Sequence, residues 1–426
     1  MTQTPETGRR RTAAFGFIFA CALMNSISFG IMIPVLPQLM KHFSGGDTAT
    51  ASQWNALFGS VWGLMQLFCG PILGMLSDRI GRRPVLLISF FGLAIDFLFM
   101  AFAPSLAWLF LGRIVNGMTS ASFSTANAYV ADVTAPEDRA KTFGFMGSAF
   151  GFGFLVGPAL GGFLAGPAMT PIFGDFALRI PFLVAAAMTT INLVYGYFIL
   201  PESLVPERRI LRFDWRKANP VGSLSFLRAH GDLVGLSAVG FLFQLAHTVL
   251  PSIFVLYAGY RYHWTSDIIG LTLMGTGILG VLVQIFCVGP VVKRIGERGA
   301  LLLGAIGGAT GFMLYGLSTE GWMYLASAPV FALTNFLQPG LQGLMTRRVG
   351  PQEQGQLQGA SQALQGIGSV LGPLIFNGTF AWAIHQDRTL HMPGLPIFIA
   401  AGLLLSAFFL AIKVGHAPGQ VESLQA

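Results

Sequence analysis

The sequence predicts an all-α membrane protein: twelve transmembrane helices in two six-helix bundles related as parallel repeats. Three observations carry this. Only 10% of the 426 residues are charged and 53% are hydrophobic, whereas soluble domains carry about 25% charged residues. Apolar runs alternate with short charged loops. Two distant motifs recur at one fixed offset. The composition excludes a soluble enzyme, a disordered chain and a nucleic-acid binder. At about 22 residues per crossing, twelve crossings take roughly 264 residues and leave about 160 for loops and tails.

The spans follow in order. Span 1 (13–37) succeeds a polar start bearing Arg9, Arg10 and Arg11. Its apolar run is too long for a signal-peptide core, so a retained first helix is expected. Span 2 (53–76) stops at the charges from Asp78 to Arg83, and Pro104 separates span 3 (85–104) from span 4 (105–130). Span 5 (142–165) is glycine-rich, and span 6 (179–200) leads into a basic, polar stretch. Spans 7 (231–258) and 8 (267–290) precede Lys293 and Arg294, and span 9 (299–318) has no Asp, Glu, His, Lys or Arg between Ala300 and Leu317. Span 10 (322–345) stops at Arg347 and Arg348, followed by span 11 (356–378) and span 12 (395–413). Cys21, Cys69 and Cys287 each lie in an apolar run, so no disulfide framework is expected.

The net charge of +7 reflects topology. Of the 25 Lys and Arg residues, 20 fall in the N-terminus, the C-terminus and the loops after even-numbered spans. Lys41, Arg179, Arg261 and Arg388 lie on the opposite side, and Arg113 alone is inside a span. This bias places both termini in the cytoplasm.

The repeat has an offset of 215 residues. Arg79, Ile80, Gly81 and Arg83 after span 2 match Arg294, Ile295, Gly296 and Arg298 after span 8. Gly151, Gly153, Gly157 and Pro158 in span 5 match Gly366, Gly368, Gly372 and Pro373 in span 11, with Gly144 to Gly359 and Pro136 to Pro351 in the same register. The expected organisation is a bundle at 1–200, a cytoplasmic linker at 201–230 and a second bundle at 231–426. Parallel repeats of this kind occur in transporters, with a substrate site between the halves near the bilayer midplane.

Together these motifs resemble a known family. Gly74-x-x-x-Asp78-Arg79-x-Gly81-Arg82-Arg83 resembles the signature loop of the major facilitator superfamily. Leu109-x-x-x-Arg113-x-x-x-Gly117 is similar to its fourth-helix arginine motif, and Gly153-x-x-x-Gly157-Pro158-x-x-Gly161-Gly162 to the fifth-helix motif of its drug antiporters. Segments 30–37, 76–87, 200–203 and 353–359 resemble the bacterial tetracycline and multidrug efflux branch. The resemblance implies a proton-coupled exporter. Tetracycline exporters of that branch place an acid five residues before the glycine that here is Gly30; this chain has Asn25 there, and it keeps the third-helix acid as Asp96.

A carboxylate at membrane depth is costly and marks function by default. Asp96 lies eight residues before Pro104 and Arg113 nine after it. At 1.5 Å per residue both sit roughly 12–13 Å below the outer surface, where they can pair. Asp96 is the expected proton carrier, with Arg113 tuning its affinity. A fixed structural ion pair remains the alternative. Asn25, Gln66, Asn116, Gln244, His247, Gln284, Asn335 and Gln338 are candidate cavity residues, and each is also the kind of polar group that simply packs helices. By resemblance Asp78 latches onto the start of span 11, whose positive dipole end favours an anion. Arg79, Arg82 and Arg83 are expected to hold the loop and touch anionic lipid. The span 5 glycines are expected to pack tightly against a helix of the other half. The sequence has no metal-ligand, phosphate-loop or nucleophile–base pattern, so neither a cofactor nor a metal nor enzyme activity is expected. The expected protein is a monomeric, multi-pass transporter of the bacterial inner membrane. It exports a small, largely apolar, drug-like or tetracycline-like molecule against protons. The alternative is a facilitator or proton symporter of a small metabolite.

Overall fold

Long apolar segments with no water to satisfy their backbone must bond internally, so they become helices. The computed structural model describes residues 5–120, 122–134, 138–205, 207, 209, 226–227, 231–350, 353–385 and 392–414; among these the regular structure is wholly helical. The inter-repeat stretch expected at 201–230 lies mostly outside them, as do Pro136 and Pro351. Nine described segments are long and apolar enough to cross a bilayer. One of them, Ser266–Leu317, holds spans 8 and 9, folded over at Gly296. Spans 4 and 10 are not among the nine: each is broken into shorter helices and carries polar residues within its length, Arg113 and Asn116 in span 4 and Asn335, Gln338 and Gln342 in span 10. The helices therefore accommodate twelve crossings. Large apolar side chains such as Phe102, Phe198, Phe286 and Trp322 point outward, as a lipid-facing surface requires.

The repeat is visible in the backbone. Gly81 and Gly296, 215 residues apart, both adopt positive φ (114° and 74°) where the chain turns from one span into the next. A side chain at Gly81 would also collide with the Glu202 carboxylate. Gly81→Ala is therefore expected to destabilise the loop by at least about 1 kcal/mol, read as a lower melting temperature in detergent. An unchanged melt would contradict the strain.

Four spans are interrupted at matching places. Span 1 breaks at 33–35, between Pro5–Met32 and Leu36–Phe43, and span 7 breaks at Thr248, between Gly231–His247 and Val249–Arg261. Span 4 breaks after Thr119, between Leu106–Thr119 and Ser122–Val133, and span 10 carries a 3-10 turn at Ala332–Phe336. Each pair keeps the 215-residue register. Span 8 widens into a π turn at Val283–Cys287. Interruptions of this kind are tolerated at membrane depth where the freed backbone groups find partners or line a cavity.

The chain forms two compact units, and each takes a strip from the other half of the sequence. One holds Met1–Phe43, Met65–Ala218 and Thr265–Met274; the other holds Ser44–Leu64, Asn219–Trp264 and Gly275–Ala426. In the first unit, span 5 (Arg139–Leu164) lies along span 1 at very short range: a Cβ on Gly157 would sit 2.7 Å from the Gly30 Cα. The same helix meets the start of span 8, where a Cβ on Gly162 would strike the Ser266 carbonyl and one on Gly270 the Pro158 carbonyl. In the second unit, the first part of span 2 (Thr48–Ile80) packs on span 11 (Gln354–Ile384). The Ser52 hydroxyl donates to the Asn377 carbonyl (2.9 Å), Ser60 to the Val370 carbonyl (2.7 Å) and the Asn55 amide to the Asn377 side chain (3.1 Å). Asp47 caps span 2 by accepting from the Ala49 and Thr50 amides (3.2 and 2.9 Å), and its bonds to Thr50 hold its carboxyl below the usual carboxylate range.

Candidate functional site

Span 3 (Arg82–Phe102) and the first part of span 4 run antiparallel from the Pro104 turn, so equal counts from the turn meet at equal depth. Asp96 and Arg113 meet: Arg113 Nη1 lies 3.4 Å from Asp96 Oδ2, and both residues are buried. Gly112 permits the approach, since a Cβ there would lie 2.8 Å from Asp96 Oδ1. Neither Asp96 oxygen accepts a hydrogen bond. The Arg113 guanidinium also contacts the Met32 sulfur at the break in span 1. In this close ion pair the Asp96 carboxylate lacks the hydrogen bonds that normally accompany a buried charge.

Asn116 is buried one turn beyond Arg113, and one turn further the Gln66 amide donates to the Ser120 hydroxyl (3.3 Å). Arg113, Asn116 and the Gln66–Ser120 pair thus follow one another along span 4. Asn25 is buried elsewhere. It lies seven residues before Met32, about 10 Å along span 1, in a small pocket with Cys21, Ala22, Phe90, Ala126 and Phe150. Asn25 therefore does not share the site of Asp96 and Arg113.

In the second unit, Gln244 and Gln338 line one cavity. Asn335 donates to the Ala332 carbonyl (2.9 Å) in the 3-10 turn. Gln284 lies exposed in the π turn of span 8. His247 stacks nearly parallel to Phe331 (11°) beside Phe243, and among the described residues no carboxylate pairs with it.

The signature loop forms a charged cluster at the end of span 2. Asp78 pairs with Arg82, whose Nε reaches Asp132 at 3.1 Å. Glu202 accepts from the backbone amides of Arg82 and Arg83 (2.9 and 3.2 Å) and so caps span 3. Arg83 contacts the Tyr197 carbonyl and lies over the Tyr197 ring, and Arg79 is exposed. Gly74 has open space beside it. Sequence reasoning missed Asp132 and Glu202 as partners of this loop, although Pro-Glu-Ser at 201–203 stood among the resembling segments. In the second unit Glu297 plays a related part, pairing with Arg347 at 2.8 Å.

The span 5 motif divides between two neighbours. Gly153, Gly157 and Gly161 face Ser26, Ile27, Gly30 and Ile31 of span 1, which belongs to the same half of the sequence. This corrects the expectation that the whole motif packs against the other half; only Pro158 and Gly162 do so. A four-residue glycine spacing defines a smooth face but does not say which helix lies on it. Among the described residues no group of three or more His, Cys, Asp or Glu side chains is placed to hold a metal.

A polytopic helical protein with internal repeats, matched breaks and, among the described residues, one buried ion pair has the build of a membrane transporter. The Major Facilitator Superfamily profile matches residues 18–373, and the chain belongs to that superfamily. It is 39% identical to the class C tetracycline resistance protein of Escherichia coli over 364 residues, which is 85% of this chain and 89% of that relative. It is 32% identical to the class B protein of Escherichia coli, over 91% of this chain and 94% of the relative. Two solved structures share the fold. The nucleoside transporter NupG has a TM-score of 0.75 at 14% identity, over 95% of this chain and all of that one. The human organic anion transporter MFSD10 has a TM-score of 0.67 at 22% identity, over 96% of this chain and all of that one.

Proposed function

We propose that the protein is a proton-coupled exporter of the bacterial inner membrane, with both termini cytoplasmic, and that it moves a small, largely apolar molecule outward as protons enter. The similarity to tetracycline resistance proteins makes tetracycline the first cargo to test. The observation that carries the reading is the Asp96–Arg113 pair, buried and in contact at 3.4 Å, whose carboxylate accepts no hydrogen bond. A carboxylate so placed gains a proton without breaking a hydrogen-bond network, and protonation cancels its attraction for Arg113. Met32 then connects that change to the break in span 1. The two repeats, 1–200 and 231–426 joined through 201–230, act as the bodies of an alternating-access cycle. The Asp78–Arg82–Asp132 cluster, capped by Glu202, holds the cytoplasmic loop between spans 2 and 3 in shape during that cycle.

Everted membrane vesicles test the reading. On energisation they are expected to accumulate tetracycline, and an exchanger that collapses the pH gradient should release it. Uptake indifferent to the pH gradient would favour a facilitator, a reading that the absence of acidic and basic side chains between Ala300 and Leu317 would then support.

A further inference from the structure

The second unit contains a polar cavity whose lining carries no charge. It lies among spans 7, 10 and 11 and is lined by Ser237, Gln244, Gln338, Gln342, Ser361 and Gln365 together with apolar side chains. Four carboxamides and two hydroxyls converge there from three helices, each amide offering two donors and an oxygen acceptor. The glutamines occur as i, i+4 neighbours of other lining residues: Gln338 with Gln342, and Ser361 with Gln365. One turn separates each pair, so both members face the same side of their helix. No hydrogen bond joins the four amides to one another. Ser237 supplies a second observation: its Oγ is buried against the cavity with no hydrogen-bond partner, although the residue is only 5% exposed. A buried hydroxyl left unpaired is costly, and a partner entering the cavity would remove that cost. All six residues lie on the parts of their spans nearest the basic loops at 293–298 and 347–348, the side that charge bias assigns to the cytoplasm.

We infer that this cavity is a recognition subsite for the neutral, hydrogen-bonding edge of the exported molecule. The ligand chemistry it fits is an uncharged array of hydroxyl, keto or carboxamide groups on one side of a larger apolar body. Its volume of about 30 Å³ takes a few polar atoms rather than a whole drug. Because the lining is acceptor and donor at once and carries no carboxylate, it does not favour cations. The proton site and the cargo site are thus chemically separate, with the carboxylate in one unit and the amides in the other. Discrimination follows from burial. Cargo lacking the polar edge would leave the amides and Ser237 unpaired, and that loss is what a hydrogen-bonding site uses to reject an analogue.

The subsite takes its probe from the export reading but is tested by equilibrium binding, which needs no transport. Full-length protein in detergent is dialysed against tetracycline, which carries neutral hydroxyl and keto groups along one edge, and against tetraphenylphosphonium, which has no hydrogen-bonding group. Gln338→Leu and Gln342→Leu are expected to weaken tetracycline binding about tenfold each and to leave tetraphenylphosphonium unchanged. Gln342→Glu, which keeps the size and adds a charge, should tighten the cation. Ser237→Ala should raise the melting temperature of the ligand-free protein while lowering tetracycline affinity, a combination that a purely structural hydroxyl would not give. The inference is overturned if the wild type does not bind tetracycline, if the leucine variants bind it as the wild type does, or if they lose both probes equally. Tetracycline binding sensitive to these variants without proton-driven flux would reject the export reading and leave the subsite standing.

Discussion

Asp96→Asn abolishes proton-driven transport: vesicles bearing this variant accumulate no more tetracycline than vesicles without the protein. The substitution keeps the size and polarity of the side chain and removes only its ability to gain and lose a proton. The expectation rests on the burial of Asp96 and on the lack of any hydrogen bond to its carboxylate. A structural ion pair would behave otherwise, since Asn in its place would lower stability but leave residual pH-driven flux. Arg113 provides the complementary variant. Arg113→Leu leaves the buried Asp96 carboxyl without its cation, and breaking such a pair costs about 3–5 kcal/mol. Combining it with Asp96→Asn removes the orphaned charge, so the double variant should melt higher than Arg113→Leu alone. A double variant no more stable than Arg113→Leu would mean that the two residues are not coupled.

Gly161→Val prevents the protein from assembling. A Cβ on Gly161 would collide with the Ile31 carbonyl oxygen, well inside van der Waals contact. Backbone on a long helix cannot step aside as a flexible side chain can. Spans 1 and 5 would have to separate along the whole face formed by Gly153, Gly157 and Gly161, at a cost of more than about 3 kcal/mol, beyond the usual range for overpacking. The expected result is loss of the protein from the membrane fraction, or a melting temperature far below the wild type. Gly147 lies on the same helix with open space beside it, so Gly147→Ala should be neutral or slightly stabilising, because alanine is the better helix former. Equal tolerance of the two substitutions would show that the close span 1–span 5 approach is not required.

What the sequence could reveal depended on the range of the physics involved. The Asp96–Arg113 level was legible by counting from Pro104, because two antiparallel helices joined by a tight turn keep register at a fixed rise per residue. The membrane class and the signature loop were legible for the same reason, since composition and short motifs are local. The repeat predicted that Gly81 and Gly296 would occupy equivalent turns, and both adopt positive φ. Partners set by helix packing were not legible. Met32 approaches Arg113 only because spans 1 and 4 lie together, and Glu202 reaches the Arg82 amide across 120 residues of sequence. Asn25 was legible as a polar residue within span 1, but not its surroundings: it lies with Cys21 of its own helix and with Phe90, Ala126 and Phe150, which other helices bring to it. Of the amide cavity, only Gln244 and Gln338 were foreseen. The i, i+4 spacing of Gln338 with Gln342 and of Ser361 with Gln365 was the available signal, and an unusually polar stripe on an otherwise apolar span is its general form.

The most direct test of proton exchange at Asp96 is proton release on cargo binding. Tetracycline is added to unbuffered, detergent-solubilised protein containing a pH-indicating dye, and the signal is corrected for the titration of tetracycline itself. The account predicts that the wild type releases protons as it binds and that Asp96→Asn binds without releasing any. Equal release from both proteins, or no release from a wild type that binds, would contradict it.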